Sequence, residues 1–272
     1  MSNKVILIIL DGFGVTCCEE GNAVLGAKIP TLDSLWASYP KTLLHASGEE
    51  VGLSWGEMGN SEVGHLNIGT GRISQQDLPR INKTIEDGSF FKNEFLISAC
   101  DYVKKNNSTL HLLGLLSNGG VHADIRHLIA LIEMANQQGL SKIAIHLITD
   151  GRDMSKKSAE KLVDMLNETL KINKGRIATM IGRFWAMDRD NNWDRIKKAY
   201  DLLTLADGEK YDDPRKALDE MYKKGQDDEN LSPIVIDENQ KISDNDAVIF
   251  FNFRSDRAKQ LTNAFIDEDL NK

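Results

Sequence analysis

Four apolar runs in this chain each end in residues suited to holding a small anion. Leu110–Leu116 is followed by Ser117-Asn118-Gly119-Gly120-Val121-His122, and Ile143–Thr149 by Asp150-Gly151-Arg152-Asp153. Ile177–Ile181 runs into Gly182-Arg183, and Ala247–Phe253 into Arg254-Ser255-Asp256-Arg257. With Arg189 one loop further on, five arginines sit at or beside these tips. Guanidinium forks match carboxylate and phosphate oxygens bidentately, so arginines drawn from separate segments suit a small ligand carrying both groups. The bland reading pairs each arginine with a nearby acid, Asp188 or Asp190 for Arg189 and Asp256 for Arg257. His122 follows a Gly-Gly pair that lets backbone and imidazole approach a ligand closely, although a lone histidine also serves as a surface or satisfied core residue.

A second constellation lies nearer the N-terminus. The apolar run Val5–Leu10 leads into Asp11-Gly12-Phe13-Gly14, a carboxylate beside a tight turn and a common seat for a metal-binding Asp. In Gly56-Glu57-Met58-Gly59-Asn60-Ser61-Glu62-Val63-Gly64-His65 a serine is flanked by glycines. If Ser61 opens a helix, its amides and the helix dipole favour an anion there, including a phosphate on the hydroxyl. Ser61 as a helix cap and Ser61 as a nucleophile are equally compatible with this spacing.

The elements that must position these groups are short and alternate. Strands are predicted at Val5–Leu10, Thr42–Ala46, Leu110–Leu116, Ile143–Thr149, Ile177–Ile181 and Ala247–Phe253. Helices are predicted at Thr31–Ser38, Phe90–Lys105, Ile125–Gln138, Ser155–Asn173, Asp194–Ala206 and Pro214–Lys224. Alternation of this kind implies parallel strands joined by helical crossovers, an α/β architecture. In open parallel sheets ligands bind beyond the carboxyl ends of the strands, so the four polar tips would share one rim. The glycine-rich opening stretch has a different texture, which places a domain boundary near residue 76, giving 1–76 and 77–272.

The chain has 272 residues, and its 33 basic and 41 acidic side chains give a net charge of −8, so there is no general positive field to collect nucleic acid. Any anion site must be local. Val5–Leu10 is too short for a signal-peptide core or a membrane span, which implies a cytoplasmic address and no membrane partner. Cys17, Cys18 and Cys100 cannot form a fully paired disulfide framework and read as reduced thiols.

Six motifs in order resemble the cofactor-independent, metal-dependent phosphoglycerate mutases: Ile9–Gly14, Met58–His65, Ser117–His122, Asp150–Asp153, Gly182–Asp190 and Phe251–Arg257. The resemblance covers residue 3 to about 265. It implies interconversion of 3-phosphoglycerate and 2-phosphoglycerate in glycolysis and gluconeogenesis through a phosphoserine intermediate. Two divalent ions, Mn2+ foremost, would serve, without 2,3-bisphosphoglycerate. Matched residue to residue, Ser61 is the implied nucleophile, and Asp11 and Ser61 are implied metal ligands. His122, Arg152, Asp153, Arg183, Arg189, Arg254 and Arg257 are the implied substrate-binding residues. The implied fold is part of an alkaline-phosphatase-like metal domain (1–76), followed by an inserted α/β phosphotransferase domain with a mainly parallel sheet (77–272).

Members of this family are about twice as long, and the portion beyond carries most of their metal-binding Asp and His residues. The sequence therefore reads as an N-terminal fragment of an isomerase that is a monomer at full length, with little or no turnover of its own. The alternatives are an inactive phosphoglycerate-binding module, or a sister metal-dependent phosphohydrolase or phosphomutase; release of inorganic phosphate without isomer formation would favour hydrolysis over transfer.

Overall fold

A computed structural model describes residues 4–267, which divide into two compact units, one ending at Pro79 and the other beginning at Arg80. In chain order the first helices are α1 (Ala23–Gly26), α2 (Pro30–Ser38), α3 (Ser61–Thr70), α4 (Asp77–Glu86) and α5 (Glu94–Asn106). From there strand and helix alternate: β1 (Leu110–Leu116), α6 (Ile125–Gln137), β2 (Ile143–Thr149), α7 (Ala159–Ile172), β3 (Arg176–Gly182), α8 (Arg183–Ala186), α9 (Trp193–Leu205). The last elements are β4 (Glu209–Lys210), α10 (Pro214–Lys223), β5 (Ile234–Val235), β6 (Ala247–Phe250) and α11 (Lys259–Ile266).

The sheet of the second unit has the order β4-β5-β3-β2-β1-β6. Neighbouring strands run parallel except β3 and β5, so the fold is α/β with a mainly parallel sheet. Every residue of β1 and β2 is buried, as expected where parallel strands are covered on both faces and read as continuous apolar runs. Leu116, Thr149 and Gly182 stand in register at the ends of β1, β2 and β3, so the segments that follow emerge side by side. Helix α5 packs on β1 and β6, α6 on β1, and α9 on β3. At Gly114 the absence of a side chain lets the Phe251 ring in: a Cβ there would stand 2.7 Å from it.

A polar line crosses this core. Asp246 Oδ2 lies 3.1 Å from His111 Nε2, His111 Nδ1 lies 2.8 Å from His146 Nε2, and His146 Nδ1 lies 2.8 Å from Thr179 Oγ1. The carboxylate only accepts, so His111 Nε2–H donates to it, His146 Nε2–H donates to His111, and the Thr179 hydroxyl donates to His146. Both histidines are buried and neutral, because burial pushes their pKa values down.

Several predicted boundaries shift for local reasons. The helix predicted from Phe90 breaks at Asn93, whose side chain caps α5 through Phe95 N and Leu96 N. The helix predicted from Ser155 starts at Ala159, because the Asp228 carboxylate takes the N–H groups of Ser158 and Ala159. Strand β6 stops at Phe250, and the Leu115 N–H that a longer strand would have paired goes instead to the Asn252 side chain at 2.9 Å.

The larger correction concerns the first unit, where neither Val5–Leu10 nor Thr42–Ala46 forms a strand. Val5, Ile6, Leu7 and Ile8 are all exposed. An apolar run becomes a strand only when another strand takes its backbone groups, and among the described residues none pairs with it. The buried apolar cluster of this unit comprises Val51, Leu53 and Val63.

Candidate functional site

The rim formed by the ends of β1, β2, β3 and β6 is organised around buried carboxylates. Asp150, fully buried after β2, accepts hydrogen bonds from the Ser117 hydroxyl at 2.7 Å, the Asp153 N–H at 3.0 Å and Arg183 Nη1 at 2.7 Å. Burial opposes its ionisation, but these donors together hold its pKa below the usual carboxylate value. The same Arg183 Nη1 reaches Asp153 Oδ2 at 2.5 Å. Arg183 is thereby locked at the start of α8 with its side chain buried.

Segment 226–231 lies across two of these tips. The Thr149 hydroxyl donates to Asp228 O at 2.6 Å, and the N–H groups of Gly182 and Phe184 donate to Leu231 O and Glu229 O. There is no room for a side chain at Gly182, where a Cβ would meet Glu229 O at 2.4 Å. The Asp228 side chain plugs the N-terminus of α7 and takes the Tyr222 hydroxyl as well. This packing brings Glu229 to 3.7 Å from Arg152 Nη1.

A cavity of about 180 Å³ opens here, lined by arginines 152, 183, 189 and 257 of the predicted set together with Arg195 and Glu229. That is below the roughly 300–1,000 Å³ of drug-sized ligand sites, and so suits a small metabolite. The acid-pairing reading holds for four of the five predicted arginines, with partners partly different from those expected. Arg152 faces Glu229, Arg183 binds Asp150 and Asp153, and Arg189 and Arg254 each approach Asp256 at 3.1 Å. Except for Arg183 these pairs are about half exposed on the arginine side, where ion pairs contribute little and are readily exchanged for a ligand.

Arg257 differs. Its Nη1 donates to Met187 O at 3.2 Å, and among the described residues no carboxylate bridges it. Burial, and then the positive charges of Arg189, Arg183 and Arg152, push its pKa down. It remains cationic, since arginine pKa values start above 12. Asp188 and Asp190 also line the cavity, so its acids and arginines are mixed, and Arg257 is the predicted arginine that no carboxylate bridges among the described residues.

His122, Asp153 and Arg254 do not line the cavity, but belong to the same rim. His122 is buried, with Nδ1 3.6 Å from Asp256 Oδ1 and Nε2 3.9 Å from Asp153 Oδ2, and Nδ1 has no hydrogen-bond partner. Burial and the Arg183 charge push its pKa down and keep the ring neutral.

In the first unit, Asn60 caps α3 by accepting from Val63 N, and Ser61 is the first helical residue. The hydroxyl of Ser61 is thus released from capping; it donates to Asp11 Oδ2 at 2.6 Å and lies 3.2 Å from His65 Nδ1. These two predicted metal ligands adjoin, but among the described residues no group of three or more His, Cys, Asp or Glu side chains is placed to hold an ion. The pair does not by itself fit a metal centre.

Sequence reading missed Arg195 and Glu229, and it placed Ser117 and Asp150 at the strand tips without giving them a role. Arg195 lies inside a helix and Glu229 in a distant acidic loop, so no strand-tip rule points to them. Arg195 does carry one signal, a cation in the first turn of a helix where acids are preferred.

Among the described residues no helix is long and apolar enough to cross a membrane. A family profile described as "BPG-independent PGAM N-terminus" matches residues 81–272. A protein of Clostridium perfringens named 2,3-bisphosphoglycerate-independent phosphoglycerate mutase is 50% identical, over 99% of this chain and 54% of its own length. A mutase of the same name, numbered 1, from Methanosarcina barkeri is 51% identical over 98% of this chain and 53% of its own. The chain thus spans about half the length of the curated relatives it matches. A crystal structure of Leishmania mexicana phosphoglycerate mutase, determined at low cobalt concentration, superposes with a TM-score of 0.74 at 33% identity, over 90% of this chain and 48% of that one.

Proposed function

Because the chain belongs to the 2,3-bisphosphoglycerate-independent phosphoglycerate mutases, whose N-terminal portion it matches, we propose that it carries the glycerate-holding arginines and the phosphoryl-accepting serine of such an isomerase. The observation that carries this reading is Arg257, which lies beside Arg152, Arg183 and Arg189 in a cavity sized for a small ligand and which no carboxylate bridges among the described residues. A phosphorylated three-carbon acid has two anionic groups for these guanidinium groups to receive. Arg152, Arg183, Arg189 and Arg257 would bind it, with His122, Asp153 and Arg254 fixing the rim around them.

Ser61, whose hydroxyl donates to Asp11 Oδ2 at 2.6 Å, would hold the phosphoryl group between its departure from one glycerate oxygen and its return to the other. Phosphoryl transfer depends on positioning and charge neutralisation more than on elaborate covalent chemistry, which an arginine-lined seat for the glycerate answers. Asp11 and Ser61 would also be two ligands of a divalent-metal centre, manganese foremost. Among the described residues these two donors do not make a centre of themselves. For residues 1–272 alone the reading is binding without turnover. The longer protein would act in cytoplasmic glycolysis and gluconeogenesis, independently of 2,3-bisphosphoglycerate.

Calorimetry with 3-phosphoglycerate tests the binding half. The wild-type chain is expected to bind, and Arg257→Ala to lose at least about tenfold in affinity, the worth of a charge-assisted hydrogen bond. Equal affinity in the two proteins would count against the reading. Conversion to 2-phosphoglycerate by the longer protein, abolished by Ser61→Ala, tests the chemical half.

A further inference from the structure

We propose that Arg195 is a further ligand-binding residue of the arginine cavity, presenting the free edge of its guanidinium to one anionic group of the phosphorylated acid. The inference rests on the phosphoglycerate reading and names a contact that reading does not contain.

Three observations carry it. The first is placement. Arg195 is the third residue of α9, in the turn where unpaired N–H groups make a cation unfavourable. Something must offset that cost, and the same side chain lines the cavity with Arg152, Arg183, Arg189 and Arg257.

The second is preorganisation. The guanidinium carbon sits 3.9 Å above the centre of the Phe184 ring, and Nη1 donates to Asp188 Oδ2 at 3.3 Å. One face and one corner of the planar group are fixed. Among the described residues its Nε–H and Nη2–H groups make no hydrogen bond. A guanidinium held flat with one edge free is already shaped for a carboxylate or phosphate, and loses less freedom on binding than a mobile side chain would.

The third is that Asp188 takes only one of its donors. Asp188 accepts from the N–H groups of Asp190 and Asn192 at 2.9 Å each and from Asn192 Nδ2 at 2.8 Å, all shorter than its bond to Arg195. Asp188 thus engages Nη1 alone, and a single donor there leaves the rest of the fork over.

The test titrates 3-phosphoglycerate, inorganic phosphate and D-glycerate into residues 1–272 as wild type, Arg195→Gln, Arg195→Lys and Arg257→Ala, with melting temperatures recorded for each. Arg195→Gln is expected to weaken 3-phosphoglycerate binding about tenfold to a hundredfold with little change in melting. Whichever of phosphate or glycerate weakens in parallel identifies the group contacted. Arg195→Lys keeps the charge, the ring contact and a donor to Asp188, but not the fork, and is expected to stay several-fold weaker than wild type; it decides the matter if Arg195→Gln melts early. Wild-type affinity in a folded Arg195 variant, while Arg257→Ala is impaired, overturns this inference alone. No binding by the wild-type chain overturns the phosphoglycerate reading beneath it.

Discussion

The two units handle apolar sequence in opposite ways. In the second, runs such as Leu110–Leu116 and Ile143–Thr149 vanish into a continuous core. In the first, Val5–Leu10 is just as apolar and lies open to solvent, and the buried apolar cluster is a group of three side chains. Composition does not separate them; partners do. A run of isoleucines, valines and leucines specifies burial only when neighbouring strands take its backbone groups and helices cover its faces.

Substitution is the sharpest way to break this contrast. Leu112→Ala in the middle of β1, where the side chain is fully buried, is expected to cost about 2–5 kcal/mol in a urea titration. Leu7→Ala, at a site 69% exposed, should stay within about 0.5 kcal/mol. Similar costs at both positions would mean that the first unit has a core of its own around Val5–Leu10.

Acid should sharpen it next. Burial holds His111 and His146 below the ordinary histidine pKa, so between their folded values and about 6.5 the unfolded chain binds more protons than the folded one. Their contribution to stability is complete above about pH 6.5 and is lost as pH falls, by up to about 1.4 kcal/mol per pH unit for each histidine. Urea midpoints for unfolding of the second unit at pH 7.5 and 5.5 check this, and an unchanged midpoint would contradict the neutral-pair assignment.

The smallest effect is local to the first unit. Asn60→Ala removes the cap of α3, a loss of about 1 kcal/mol. Hydrogen exchange at the Val63 amide, which Asn60 accepts from, should speed up by roughly the five-fold that this energy implies. Amides of β1 and β2 should not respond.

How far the sequence was legible follows the same division. The observed bounds of β1 and β2 coincide with the predicted ones, because strands buried on both faces leave an uninterrupted apolar signature and polar tips mark their ends. The rim could be read for a related reason: in-register parallel strands deliver their following residues to one edge. Val5–Leu10 misled because it carries that signature with no strand beside it. Arg195 and Glu229 escaped because they reach the cavity from a helix and from segment 226–231, brought there by contacts such as Asp228 with the start of α7 that depend on the folded arrangement. Arg189 was found at the rim, but the acid that faces it, Asp256, is its neighbour only in space, so the bland reading could offer only Asp188 or Asp190.

Gly114 and Phe251 give the sheet and the anion cavity a common point of failure. The missing side chain of one is the space occupied by the ring of the other, and from that ring the backbone goes on to deliver Arg254 and Arg257. Even a single methyl group added at 114 would be transmitted as displacement to the guanidinium that most lacks a counter-charge. Damage inflicted in the hydrophobic interior, at a position with no polar atom of its own, would then be felt as weakened affinity for the ligand before it registered as loss of the fold.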